Sequence, residues 1–148
     1  MDNKQINILL IEDNPGDARL VMEMLVEGGG KKFNLVQVER ISDGLRRLGQ
    51  DYFHVILLDL SLPDGNGLDI VNRVCTVAPH VPVLVLTGLG DEYLAIKAVQ
   101  EGAQDYLVKG QMNSNLLVHS LRYAIERKQA EEALRKSEEE AKRLAKRM

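Results

Sequence analysis

At 148 residues the chain has room for one domain and a short appendage, and a hydrophobic content of 45% is enough for a single core. The formal net charge of −3 gives no general attraction to nucleic acid or to an anionic membrane, and no apolar run is long enough to span one. The start, Met1-Asp2-Asn3-Lys4, is too polar for a signal peptide, and the one cysteine, Cys75, allows no internal disulfide, so a reducing, cytoplasmic setting is expected.

Ile6 to Ile11 is a first apolar run, closed by Glu12-Asp13. Asn14-Pro15-Gly16-Asp17 is a turn opening a helix, with Pro15 where its missing N–H costs least. Leu20, Val21, Met24 and Leu25 recur at helical spacing until Gly28-Gly29-Gly30. Asn34 to Glu39 alternates apolar and polar residues, as a strand near a sheet edge does. Ser42-Asp43-Gly44 followed by Leu45 to Leu48 predicts a short second helix. His54 to Leu60 then packs four apolar residues ahead of a carboxylate, Asp59, a pattern expected of a strand buried on both faces. Its end is marked by Ser61-Leu62-Pro63-Asp64-Gly65-Asn66-Gly67, a dense run of turn formers.

Leu68, Val71, Val74 and Cys75 predict a third helix, ended by Ala78-Pro79, and place the Cys75 thiol on its apolar side. Val81 to Leu86 is a fourth strand, followed directly by Thr87-Gly88. Tyr93, Ile96, Ala98 and Val99 mark a fourth helix stopping at Gly102. Asp105 to Val108 is a short fifth strand ending at Lys109-Gly110, and a fifth helix begins near Asn113 with Leu117, Leu121, Ala124 and Ile125 facing inward. Five alternations of strand and helix imply an α/β domain with a parallel sheet covered on both faces. From about Glu126 the composition shifts to Glu, Lys, Arg and Ala with no helix stop. Ala130, Leu134, Ser137, Ala141, Leu144 and Met148 recur at spacings of four and three, a thin seam open to two readings: a solvated single helix held by charge pairs such as Glu132 with Lys136, or a coiled coil giving a weak homodimer through the C-terminal helix.

In such a sheet the strand ends meet along one edge, where open α/β folds bind their ligands. That edge receives Glu12 and Asp13, Asp59, Thr87 and Lys109. Three carboxylates packed together repel, so either some are protonated or a cation sits among them. Hard oxygen donors suit Mg²⁺, and no histidine or cysteine cluster invites zinc. A lysine and a hydroxyl beside metal and carboxylates point to a phosphoryl group, with Asp59 as its nucleophile. His54, His80 and His119 are expected to be structural or exposed.

These segments, I-E-D-N, V-I-L-L-D-L-S-L-P-D-G-N-G, V-L-T-G and D-Y-L-V-K, resemble in order and spacing the receiver domains of two-component response regulators over residues 5 to about 127. The resemblance implies a doubly wound, flavodoxin-like fold with five parallel strands, helices on both faces and an extended C-terminal helix. It implies that Asp59 accepts a phosphoryl group from a sensor histidine kinase or phosphotransfer protein. Asp13 and Asp59 would bind Mg²⁺ directly, Glu12 through water, and Ser61 through its backbone carbonyl. Lys109 and Thr87 would contact the phosphoryl oxygens, with the Gly88 N–H nearby, and Tyr106 matches the family's switch aromatic. Residues 1–127 are then the receiver domain and 128–148 a charged helical linker leading to a further module.

One departure is Gly110, where the family usually has proline in a cis peptide; glycine permits the turn without enforcing cis. An Asp-nucleophile phosphatase of the haloacid dehalogenase type is one rival, but it wants a second Asp where Ser61 stands. A phosphorylation-independent scaffold is another, and would have no need of all five site residues. No helix-turn-helix region is present for direct DNA binding.

Overall fold

The computed structural model describes residues 5–29 and 32–147, so the Met1–Lys4 start, Gly30 and the Met148 end of the proposed seam lie outside the described residues. In chain order the elements are β1 (Ile6–Ile11), α1 (Pro15–Gly29), β2 (Phe33–Val38), α2 (Ile41–Leu48) and β3 (Val55–Asp59). There follow β4 (Ser61–Leu62), β5 (Gly65–Asn66), α3 (Gly67–Val77) and β6 (Val83–Thr87). The chain continues with α4 (Glu92–Gln100), β7 (Asp105–Val108), a 3₁₀ turn over Lys109–Gln111, and α5 (Ser114–Lys146). Five strands form one sheet in the order β2-β1-β3-β6-β7, every pair parallel.

Because successive strand residues point to opposite faces, the sheet divides its apolar residues between two cores. Leu9, Ile11, Ile56, Leu58, Val83 and Val85 pack with Ile41 of α2, Ile70, Val71 and Val74 of α3, and Ala98 of α4. Ile8, Leu10, Val55, Leu57, Leu84 and Leu86 pack with Ala18, Val21 and Leu25 of α1 and with Leu117, Leu121 and Ala124 of α5. All five residues of β3 are buried, since it has a strand on either side and helices on both faces. β2, with its alternating pattern, lies at an edge as expected.

Two local features add detail to the sequence expectation. The second helix takes in Ser42, Asp43 and Gly44 as expected, but it starts at Ile41. Its N-cap position, Arg40, offers no side-chain acceptor. Asp64, from the loop after β3, accepts instead from the backbone N–H of Ile41 at 2.8 Å and of Ser42 at 3.1 Å. Desolvation works against the charged form of Asp64, yet these hydrogen bonds hold its carboxyl below the ordinary value. Gly44 lets α2 lie close to β1, since a Cβ there would come within 2.6 Å of Ile11 Cδ1 and the buried Ile11 side chain would have to shift. The run of turn formers after Asp59 also contains a small antiparallel pair, Ser61 opposite Asn66 and Leu62 opposite Gly65. Gly67 ends it at φ +63°, a left-handed conformation that glycine adopts without strain.

β1 connects to β2 on one side of itself, and β3 lies on the other. The crevice between the carboxyl ends of β1 and β3 is therefore the topological switch point, where α/β sheets hold their ligands. At the opposite end, α5 runs past the sheet. Asn113 caps it by accepting from Leu116 N–H at 2.8 Å. Beyond the buried Leu117, Leu121 and Ala124 it still leans on the domain, with Glu132 2.9 Å from His80 Nδ1 and Gln104 Nε2 donating to Glu131 at 3.3 Å. Leu134 and Leu144, 61% and 50% exposed, follow on the free part of the helix.

Candidate functional site

Each site residue stands where a strand ends. Glu12 and Asp13 follow β1, Asp59 is the last residue of β3, Thr87 the last of β6, and Lys109 follows β7. The sheet register aligns these ends. Ile11 lies beside Leu58, Asp59 beside Leu86, and Thr87 beside Val108, so the polar groups emerge at nearly one level.

One oxygen from each of the Glu12, Asp13 and Asp59 carboxylates lies within 4.8 Å of the others. Glu12 is fully buried, Asp59 buried and Asp13 exposed, so the cluster opens to solvent on the Asp13 side. Asp59 Oδ1 accepts from the backbone N–H of Ser61 at 3.1 Å, and Glu12 Oε1 from that of Asn14 at 3.2 Å. The Lys109 ammonium lies 2.9 Å from Glu12 Oε2, 2.8 Å from Asp17 Oδ2 and 3.4 Å from Asp59 Oδ2. Despite that ionic contact, Glu12 Oε2 is buried without a well-directed hydrogen bond.

The electrostatics follow from this packing. Burial, with the neighbouring Asp59 carboxylate adding to it, pushes the Glu12 carboxyl up to about 7 against the pull of Lys109. Burial alone would lower the Lys109 pKa. Hydrogen bonds to Asp17 and Glu12 and the charges of Asp59 and Glu12 more than offset that, so its pKa is raised and the ammonium stays charged. With Asp17 included, three carboxyl groups meet the one ammonium and a fourth, that of Asp13, lies beside Glu12 and Asp59, so acidic groups outnumber the cation. The donors are all carboxylate oxygens, and one of them, Glu12 Oε2, is buried and poorly served. That set fits Mg²⁺, which takes a few carboxylates and keeps its remaining waters.

The remaining predicted residues border this cluster. The Thr87 side chain is buried, and its hydroxyl has only a long 3.5 Å contact to the Gly88 carbonyl, which leaves it weakly committed. Gly88 starts a turn closed by Asp91 N–H donating to the Gly88 carbonyl at 3.2 Å. Ser61 is exposed and reaches the site through its backbone N–H. Tyr106 is half-buried on β7 beside Val85, against the α3–α4 core. No cis peptide bond occurs among the described residues, so Lys109-Gly110 is trans. Of the three histidines, His54 Nδ1 accepts from Asn7 N–H and His80 pairs with Glu132; neither is near the carboxylates.

Asp17 is the member that sequence reasoning missed. Its position in the opening turn of a helix accounts for an acidic residue there without reference to any site. Its partner Lys109 is 92 residues away, and only folding reveals it.

A model of the response regulator receiver domain matches residues 8–122. The chain is 29% identical over 122 residues to the C4-dicarboxylate transport transcriptional regulatory protein DctD of Rhizobium meliloti, covering 82% of this chain and 26% of that protein. It is 33% identical over 101 residues to the response regulator protein PilR of Pseudomonas aeruginosa, covering 68% of this chain and 22% of that protein. The chain thus spans about a quarter of the length of these relatives. A solved receiver domain protein from Clostridium thermocellum superposes with a TM-score of 0.74 at 29% identity, covering 84% of this chain and 98% of that one. With a family match over most of its length, the parallel five-stranded fold and an acidic pocket facing a lysine at the switch point, the chain belongs to the response regulator receiver domain family of two-component systems.

Proposed function

We propose that Asp59 is the phosphoacceptor of a two-component phosphorelay. The observation that carries this reading is the convergence at one strand edge of Asp59, its two acidic neighbours and the Lys109 ammonium 3.4 Å from it. An Asp59 carboxylate oxygen attacks the phosphorus of a phosphohistidine in line. The P–N bond breaks, its electron pair returns to the imidazole, which takes up a proton, and an acyl phosphate remains on Asp59. Hydrolysis of that acyl phosphate by water returns the carboxylate and releases inorganic phosphate, so the domain acts on itself and turns over no other substrate.

Mg²⁺ bound by Asp13 and Asp59, by Glu12 through water and by the Ser61 backbone carbonyl would supply positive charge to the phosphoryl oxygens. Lys109 and the Thr87 hydroxyl contact the same oxygens, with the Gly88 N–H beside them. Thr87 is suited to this because its hydroxyl has little to give up. Its movement toward the phosphoryl group opens space on the face it shares with Tyr106, and the half-buried ring turns inward.

The donor is a sensor histidine kinase or a phosphotransfer protein. We assign residues 1–127 to the receiver and 128–148 to a helical linker that couples it to an output module. Leu134 and Leu144 on the exposed stripe support a weak parallel homodimer through that linker. A cytoplasmic setting belongs to this reading, and no helix of the described residues is long and apolar enough to cross a membrane. Incubation with acetyl phosphate and Mg²⁺ should add one acid-stable, base-labile phosphate per wild-type chain and none to Asp59→Asn. Equal labelling of that variant by the same chemistry would remove Asp59 from this role.

A further inference from the structure

We propose that Asp17 is a positioning residue of this site, holding the Lys109 ammonium away from Asp59 until a phosphoryl group draws it in; the proposal rests on the assignment of Asp59 as acceptor. Lys109 Nζ is closer to Asp17 Oδ2, at 2.8 Å, and to Glu12 Oε2, at 2.9 Å, than to Asp59 Oδ2, at 3.4 Å. Its contact with the acceptor is thus the longest of the three.

The walls keep it there. Glu12, Asp17, Leu20, Val21, Leu86, Lys109 and Met112 enclose a cavity of only 10 Å³, at most about one water in size. The recess holds at most about one water, and three carboxylates meet the ammonium directly. Asp17 is held in turn by its own helix. Its backbone N–H donates to Asn14 Oδ1 at 3.0 Å, which fixes the first turn of α1 and with it the direction of approach. A carboxylate in a first turn is favourable to the helix dipole on its own account. That role does not place it 2.8 Å from a cation contributed by the far end of the chain.

A phosphoryl group on Asp59 brings new negative oxygens, and the ammonium must give up part of its contact with Asp17 to reach them. Asp17 is 38% exposed and Lys109 21%, so their pair is partly screened. Pairs of this kind shift an equilibrium by up to about fivefold. Asp17 therefore acts against the phosphorylated state by a factor of that order. It also ties the state of Lys109 to the opening turn of α1.

Beryllium fluoride with Mg²⁺, a tetrahedral phosphoryl mimic, is the probe. Titrations of the full chain compare wild type, Asp17→Asn, Asp17→Glu, Lys109→Ala and the Asp17→Asn/Lys109→Ala double variant. Asp17→Asn should bind the mimic about three- to fivefold more tightly, Asp17→Glu should behave as wild type, and Asp17→Asn should add nothing in the Lys109→Ala background. Unchanged affinity in Asp17→Asn overturns the proposal. So does an equal gain without Lys109, because loss of a repelling charge then explains it. The ¹⁵N signal of Lys109 Nζ in the ligand-free protein gives a second reading that needs no mimic. It should move in Asp17→Asn and return in Asp17→Glu, and a signal indifferent to Asp17 overturns the proposal whatever the affinities. A wild type that fails to bind the mimic counts against Asp59 as acceptor, while the Nζ signal still decides whether Asp17 holds Lys109.

Discussion

Glu12 makes the stability of the metal-free domain depend on pH in the direction opposite to most carboxylates. Its carboxyl, ordinarily near 4.5, is pushed to about 7 by burial and by Asp59. The fold thus favours its protonated form. Stability from this group is fully present below the unfolded value and is lost as pH rises through 7. A displacement from 4.5 to about 7 corresponds to about 3 kcal/mol at most, with much of the loss between pH 5 and 8. For a chain of this size that is a fall in melting temperature of about 10 °C. Glu12→Gln, uncharged throughout, should lack this component of the slope. Mg²⁺, which binds the deprotonated cluster, should oppose the fall at high pH and do little near pH 5. The assay is thermal unfolding from pH 5 to 8 in a chelating buffer and again with millimolar Mg²⁺. Parallel stability curves for wild type and Glu12→Gln in the chelating buffer would refute the reasoning.

Asp64→Ala removes the acceptor for two backbone N–H groups at the start of α2 and should lower the urea midpoint with unchanged slope. For the linker, sedimentation of the full chain should show weak, concentration-dependent dimerisation that is lost in Leu134→Glu and in a chain stopped at Lys128. Three monomeric proteins at high concentration, with and without the phosphoryl mimic, would leave the helix a connector only.

Much of the architecture was legible in local pattern. The bounds of β1 and β7 coincide with the apolar runs Ile6–Ile11 and Asp105–Val108, because each run is closed by a change to polar or turn residues. The buried character of β3 follows from four apolar residues ahead of Asp59. What escaped depends on partners far along the chain. Asp64 reaches back to Ile41 across 23 positions, and no propensity at Ser42-Asp43-Gly44 reports that contact. The Ser61–Asn66 pair is too short to show any alternation. At the site, the strand-end residues were visible because each follows an apolar run, whereas Asp17 sits in a helix whose own chemistry already accounts for it. His80 shows the same limit, since its contact with Glu132 exists only because α5 extends beyond the sheet.

The continuity of α5 has a mechanical consequence. Its 33 residues form a rod about 50 Å long, of which the stretch after Glu132 extends about 20 Å past the His80–Glu132 contact. The buried anchor of Leu117, Leu121 and Ala124 and the His80–Glu132 contact together act as a bearing for that rod. A tilt of about 10° at the bearing would sweep the far end through about 3–4 Å, since a helix with no interior proline or glycine bends little over such a length. Displacements too small to notice among the packed side chains at Leu121 would thus arrive at Leu144 as a movement comparable to the width of a methyl group. A shift at this anchor would make the domain the short arm of a lever, with His80 and Gln104 holding the helix near its pivot.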